Sequence, residues 1–157
     1  MKTRLAVFVC TFGYIGYAPI APGTVGSLAG LLVHAALRWF GVRPLAEAVV
    51  IVMLFVIGTW SGTIAERHFG GTDPGPGVID EVVGMLMTLY LVPTSWIAAL
   101  TGFFVFRVLD VVKPFPAGRL ERLPGGLGMM ADDAMSAVYG NVLMQLLAWT
   151  AASQLGG

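Results

Sequence analysis

Five of the nine acidic side chains fall in three tight groups: Asp80 with Glu81, Asp110 between Arg107 and Lys113, and Asp132 with Asp133. Each group borders or interrupts an apolar run, where an ionised side chain costs a few kcal/mol unless it faces a cavity, a partner or a substrate path. Asp80 and Glu81 head one such run. Neighbouring residues on a helix of 3.6 residues per turn point about 100° apart, so a simple cap uses one of them and leaves the other for a different task. Asp132 and Asp133 repel each other, and burial would force a proton onto one of them unless a cation balances the pair. Oxygen ligands without cysteine or histidine point to Mg2+ or Mn2+ rather than zinc.

The cations have two readings. Arg107, Asp110 and Lys113 recur every three residues, which suits either satisfied ion pairs near the negative end of a helix or a phosphate held beside an acid. The run GTVGS at 23–27 brings backbone N–H groups, the hydroxyls of Thr24 and Ser27 and the positive end of a helix together. That outlines an anion site or ordinary capping, and it is no Walker loop, because no Gly-Lys-Ser/Thr follows at the required spacing. A thiol phosphatase is set aside because Cys10 lies in an apolar run. Serine hydrolysis lacks a G-x-S-x-G elbow and a base, and His34 reads as a packing residue with one hydrogen-bond partner. What remains is hydrolysis in which a carboxylate-held metal polarises a phosphate and acidifies a bound water, while cations neutralise developing charge.

The elements that must position these groups are membrane helices. The chain has 157 residues, 57% of them apolar and 11% charged, far fewer charges than the roughly 25% of a soluble domain. Nine Lys plus Arg balance nine Asp plus Glu, which leaves no basic surface for nucleic acid. Apolar runs between Gly and Pro punctuation predict an all-α, polytopic helical bundle of one domain, 1–157, with five spans at 24–40, 45–65, 78–92, 96–112 and 132–153. The connections at 41–44 and 93–95 are short; those at 66–77 and 113–131 are long and rich in Gly and Pro. Residues 5–20 are broken by Gly13, Gly16 and Pro19, and are expected to be an interfacial or re-entrant piece rather than a cleaved signal peptide or a span. With that choice Lys2, Arg4, Arg67, Lys113, Arg119 and Arg122 fall on one side and only Arg38 and Arg43 on the other. The amino terminus and both long loops are then cytoplasmic and Gly157 is outside. All the candidate groups share the cytoplasmic face.

Four runs, APGTVGS at 21–27, VIDEVVG at 78–84, FRVLDVVKPFP at 106–116 and GGLGMMADD at 125–133, resemble the phosphatidylglycerophosphatase A family in order and spacing over nearly the whole chain. The resemblance implies a Mg2+-dependent lipid phosphatase of the bacterial inner membrane that converts phosphatidylglycerophosphate to phosphatidylglycerol. The chain departs from the family's frequent Ala-Gly after the paired aspartates, carrying Ser136 and Ala137 there.

Glu81 and Asp133 are the leading metal ligands by geometry, with Asp80 and Asp132 as second ligands or orienting groups and Asp110 facing the same site. Gly84 should clear the face below Glu81, and Ser136, Ala137 and Gly140 the face below Asp133, so that two helices meet where their acids lie. Thr24, Ser27, Arg107 and Lys113 would hold the phosphate. A cation transporter is the rival reading, but the midplane offers little beyond His34, Thr59, Ser61 and Thr101, and a structural membrane subunit is favoured only if every acid is paired.

Overall fold

The described residues form seven α-helices: α1 (Lys2–Cys10), α2 (Pro22–Trp39), α3 (Pro44–Phe69), α4 (Ile79–Leu89), α5 (Trp96–Val112), α6 (Ala117–Leu120) and α7 (Gly126–Leu155), with a 3-10 turn at Ile15–Tyr17. The computed structural model describes residues 1–71 and 73–155, and contains no strand among them; the expected outside position of Gly157 lies outside the described residues. Local chemistry explains the helix ends. Pro22 and Pro44 start α2 and α3, where a missing N–H costs nothing, and the Ser95 hydroxyl accepts the Ala98 N–H at 3.0 Å to cap α5.

α4 is the axis of the molecule, with α2, α3, α5 and α7 all packed against it. Nine of its 11 residues are buried, as expected for a helix that is apolar all round apart from its first turn. This corrects the expected span at 78–92. Eleven residues rise roughly 16 Å, about half of a hydrocarbon core of roughly 30 Å. The helix stops at Leu89, and Leu91 takes a positive φ of 59° that turns the chain toward α5. Among the described residues α3 alone, with 26 residues, is both long and apolar enough to cross a bilayer by itself.

Both long loops are shorter than the sequence suggests. α3 continues through Phe69 and ends at Gly70, whose φ of 80° closes the helix in the left-handed conformation. α7 begins at Gly126, six positions before the expected start at Asp132, because the GGLGMM run is helical and buries Met129 and Met130 at 2% and 1% exposure. Only a glycine fits at 126: its Cα lies against the backbone of α3 at Thr59, Gly62 and Thr63, and its N–H donates to the Thr63 hydroxyl at 3.0 Å. The acids Asp132 and Asp133 therefore sit in the second turn of α7 rather than at its tip.

Residues 2–17 form a hairpin made of α1 and the 3-10 turn. Arg4 lies level with His68 near the end of α3, whereas Phe8, Val9 and Phe12 reach Leu54, Ile57 and Ile79 deeper in the bundle. Eleven residues of α3 separate Ile57 from His68, a depth of roughly 16 Å. The chain then returns, and Tyr17 meets Phe69 edge-on with ring centroids 6.4 Å apart. On the outer faces of the helices, large apolar side chains such as Leu32, Val52, Val56, Phe104, Val108 and Leu146 are exposed, more apolar surface than a water-soluble monomer usually displays.

Candidate metal and phosphate site

The first turn of α4 presents its two acids to the second turn of α7. One carboxylate oxygen from each of Asp80, Glu81 and Asp133 lies within 4.8 Å of the others, close enough for all three to reach a single cation. Neither acid of α4 caps it: the N-cap is Val78, and no side chain accepts a hydrogen bond from the helix start. Asp80 Oδ1, Glu81 Oε2 and Asp133 Oδ2 are buried with no hydrogen-bond partner in the protein. Buried unpartnered carboxylate oxygens are strongly disfavoured, and a divalent cation satisfies them, so the donor set fits Mg2+ or Mn2+.

Arg107 closes one side of this cluster. Its Nη1 donates to Asp110 Oδ2 at 2.7 Å and to Ser27 Oγ at 3.3 Å, and stands 4.0 Å from Glu81 Oε1. Ser27 is buried and donates in turn to the Gly23 carbonyl at 3.0 Å. Gly23 is where the first turn of α2 touches the acids. A Cβ there would overlap Glu81 Oε1 and come within 3.3 Å of both terminal Arg107 nitrogens. Asp110 is also a neighbour of Asp133, so it borders the cluster from α5. Thr24 is half-buried in the same turn of α2 but caps nothing, since that helix has no side-chain cap.

Lys113 is separate from this group. The three-residue spacing places it in line with Arg107 and Asp110, yet α5 ends at Val112 and Lys113 turns away with a φ of 47°. Its ammonium bonds to Asp132 Oδ2 at 2.6 Å and pairs with Glu121 at 3.2 Å. Burial lowers the Lys113 pKa, but the hydrogen bonds and charges of Asp132 and Glu121 outweigh it and hold the group above its ordinary value. Asp132 accordingly lies outside the three-acid cluster and faces the lysine.

Gly84 serves a different contact from the one expected. The Phe106 ring of α5 occupies the space above it, so it admits α5 rather than α7. The α4 and α7 helices instead approach at Gly140, where a Cβ would lie 3.1 Å from the Thr88 side chain.

Three groups escaped the sequence reading. Asp73 sits in the electrostatic field of Lys113, Glu121 and Asp110; loss of solvent raises its carboxyl pKa, Lys113 lowers it, and the two acids raise it again, leaving it above its ordinary range. Gly23 is legible in the chain only as part of the GTVGS run, and its contact with Glu81 leaves no signal there and shows only in the fold. Glu47, fully buried in the first turn of α3, pairs with Arg38 and lies 3.3 Å from His34 Nδ1 at the opposite end of the molecule. The i, i+4 spacing of His34 and Arg38 on one face of α2 was the available signal for that cluster.

The chain matches the family model described as PgpA, phosphatidylglycerophosphatase A, over residues 8–148. It is 38% identical over 128 residues to phosphatidylglycerophosphatase A of Escherichia coli K12, covering 78% of this chain and 72% of that protein. It is 35% identical over 127 residues to phosphatidylglycerophosphatase A of Haemophilus influenzae, covering 79% and 77%. A putative phosphatidylinositol-3-phosphatase of Bacteroides thetaiotaomicron is 32% identical over 152 residues, covering 92% and 94%. No solved structure matches. A family match across α4, α5 and α7, the three helices that carry the clustered acids, together with relatives named as phosphatases, leads to one conclusion: the chain is an enzyme of the phosphatidylglycerophosphatase A family.

Proposed function

We propose that the protein hydrolyses the phosphate monoester of phosphatidylglycerophosphate, releasing phosphatidylglycerol and inorganic phosphate, with Asp80, Glu81 and Asp133 holding Mg2+ or Mn2+. The observation that carries this reading is the convergence of three carboxylate oxygens within 4.8 Å, each acid leaving a buried oxygen unpartnered, beside the Arg107 guanidinium. A divalent cation held there supplies charge for the phosphate oxygens and acidifies a water. Arg107, fixed by Asp110 and Ser27, faces the developing negative charge. Lys113, oriented by Asp132, supplies a second cation at the mouth of the site, and Thr24 offers a hydroxyl to the phosphate from α2.

The membrane setting belongs to the same proposal. α7 packs on α3, α5 on α7 and α2 on α5, all with apolar outer faces, which supports a multi-pass arrangement in which these helices cross together and α4 is enclosed by them. The excess of Lys and Arg in the amino terminus and the two longer loops supports a cytoplasmic position for the acid-bearing ends. Ion transport fits poorly, because the acids gather at one end of α4 and α7 instead of lining a path through them.

A second lipid deserves a parallel assay, since the relative from Bacteroides thetaiotaomicron covers 92% of this chain and is named for phosphatidylinositol 3-phosphate. Phosphate release from purified protein in detergent with Mg2+ tests both. Faster turnover of phosphatidylglycerophosphate is expected. Preference for phosphatidylinositol 3-phosphate would reassign the substrate, and release from neither would overturn the hydrolase reading.

A further inference from the structure

The amino-terminal hairpin and the end of α3 enclose a cavity of about 390 Å³ lined by Thr3, Arg4, Val7, Tyr14, Tyr17 and His68. It shares no residue with the acid cluster. The ion pairs among the described residues engage His34, Arg38, Arg107 and Lys113, and Arg4 takes part in none. Among the described residues the tyrosine hydroxyls that bond within the protein are those of Tyr90 and Tyr139, and the hydroxyls of Tyr14 and Tyr17, which line this cavity, have no such bond. Its wall is braced by a run of aromatic contacts, Phe8 to Tyr14 at 5.2 Å, Tyr14 to Tyr17 at 6.0 Å, Tyr17 to Phe69 at 6.4 Å and Phe69 to His68 at 5.1 Å. On the far side of the Phe8–Tyr14 pair lies a second cavity of about 400 Å³, lined by Phe8, Val9, Phe12, Leu54, Ile57 and Ile79 and without a charged group.

A cation with free hydroxyls above an apolar trough matches a phospholipid: the polar cavity suits a phosphate ester and the apolar one a hydrocarbon chain. Charge selects among phospholipids. Lys2, Arg4 and Arg67 lie at this end with Glu66 as the nearby acid in sequence, so the local excess is positive and favours an anionic headgroup over a zwitterionic one. Tyrosine and arginine at the depth where the hairpin leaves the bundle are the side chains that suit a headgroup layer.

We propose that this cavity binds the headgroup phosphate of an anionic bilayer phospholipid other than the substrate, with Arg4, Tyr14, Tyr17 and His68 as its polar contacts. The inference rests on the membrane reading given above, but not on the hydrolase chemistry. It also links the lipid to the site, since Gly16 of the hairpin abuts the backbone of Pro76 and the side chain of Val78, two residues before Asp80. A lipid seated at Tyr14 and Tyr17 would hold the hairpin against the start of α4.

Native mass spectrometry of the full chain in detergent, with phosphatidylserine, phosphatidylcholine or inorganic phosphate added, tests the site. Wild-type protein should retain one phosphatidylserine in preference to phosphatidylcholine, and inorganic phosphate should not displace it. Arg4→Gln should lower that retention about fivefold, the effect of one cation near an anionic surface, whereas Arg122→Gln should not change it. Equal retention of the two lipids, equal retention by wild type and Arg4→Gln, or displacement by inorganic phosphate would overturn the proposal. Turnover of a water-soluble short-chain substrate by Arg4→Gln should match wild type, so failure of the lipid site and failure of the hydrolase reading give different results.

Discussion

Lys113 Nζ lies 2.6 Å from Asp132 Oδ2, and this bond divides two adjacent aspartates between two tasks. On α7 the side chains of Asp132 and Asp133 point about 100° apart. Asp132 meets the cation at the end of α5, while Asp133 meets Asp80 and Glu81 of α4. The sequence predicts Asp133 as a leading ligand and Asp132 as a second ligand or orienting group; the helix gives Asp132 the orienting contact.

Asp132→Asn should therefore behave unlike Asp133→Asn. It weakens the hold on Lys113 and should raise KM severalfold with a smaller fall in kcat, and Lys113→Ala should show the same pattern. Steady-state kinetics on the two variants and their double mutant check this, and the double mutant should be little worse than either single one, because both remove the same contact.

Gly23→Ala should impair catalysis without unfolding the protein. The new methyl overlaps Glu81 Oε1 and crowds Arg107, so the acid must move away from the cluster. A displacement of this kind costs on the order of a hundredfold in rate. Phosphate release, alongside a thermal unfolding midpoint close to wild type, would establish it, and unchanged turnover would show that Glu81 has no fixed position to defend.

Activity should vanish in EDTA and return with Mg2+ or Mn2+. The three-acid cluster and its unpartnered oxygens motivate this expectation, and full turnover after verified metal removal would remove the metal from the mechanism.

At the other end of the bundle, Glu47→Ala should destabilise rather than inactivate. Glu47 is fully buried and partnered by Arg38, whose side chain is 22% exposed. Removing one member of a buried pair costs about 3 kcal/mol, at the low end of the usual range here because Arg38 reaches some solvent. The unfolding midpoint in detergent should fall by several degrees while turnover per folded molecule stays near wild type.

How far the chain could be read in advance depended on whether a signal was local. Asp80, Glu81, Asp110, Asp132 and Asp133 stand out because ionisable groups beside apolar runs are costly, and helix starts at Pro22, Pro44 and Ser95 carry their own punctuation. The length of α4 was not legible. Its apolar run continues past Leu89 to Val92, and only the packing of four helices around it explains why so short a helix can be enclosed. The start of α7 was hidden because GGLGMM has a loop's composition, whereas Gly125 and Gly126 allow close contact with α3 and Gly128 with the backbone of Glu121 and Leu123. Contacts between distant segments, such as Gly23 with Glu81 or Glu47 with Arg38, leave no periodic trace.

In the proposed reaction Glu81 and Asp133, with Asp80, hold a divalent cation that hydrolysis requires. The most direct measurement is turnover of purified, folded Glu81→Gln and Asp133→Asn variants at saturating Mg2+, since the amide keeps the shape and removes the charge. Each should lose roughly a thousandfold or more, the scale of losing a metal's transition-state stabilisation. If both keep at least about a tenth of wild-type turnover, less than about 1.4 kcal/mol of barrier, the acids are structural and the account is contradicted.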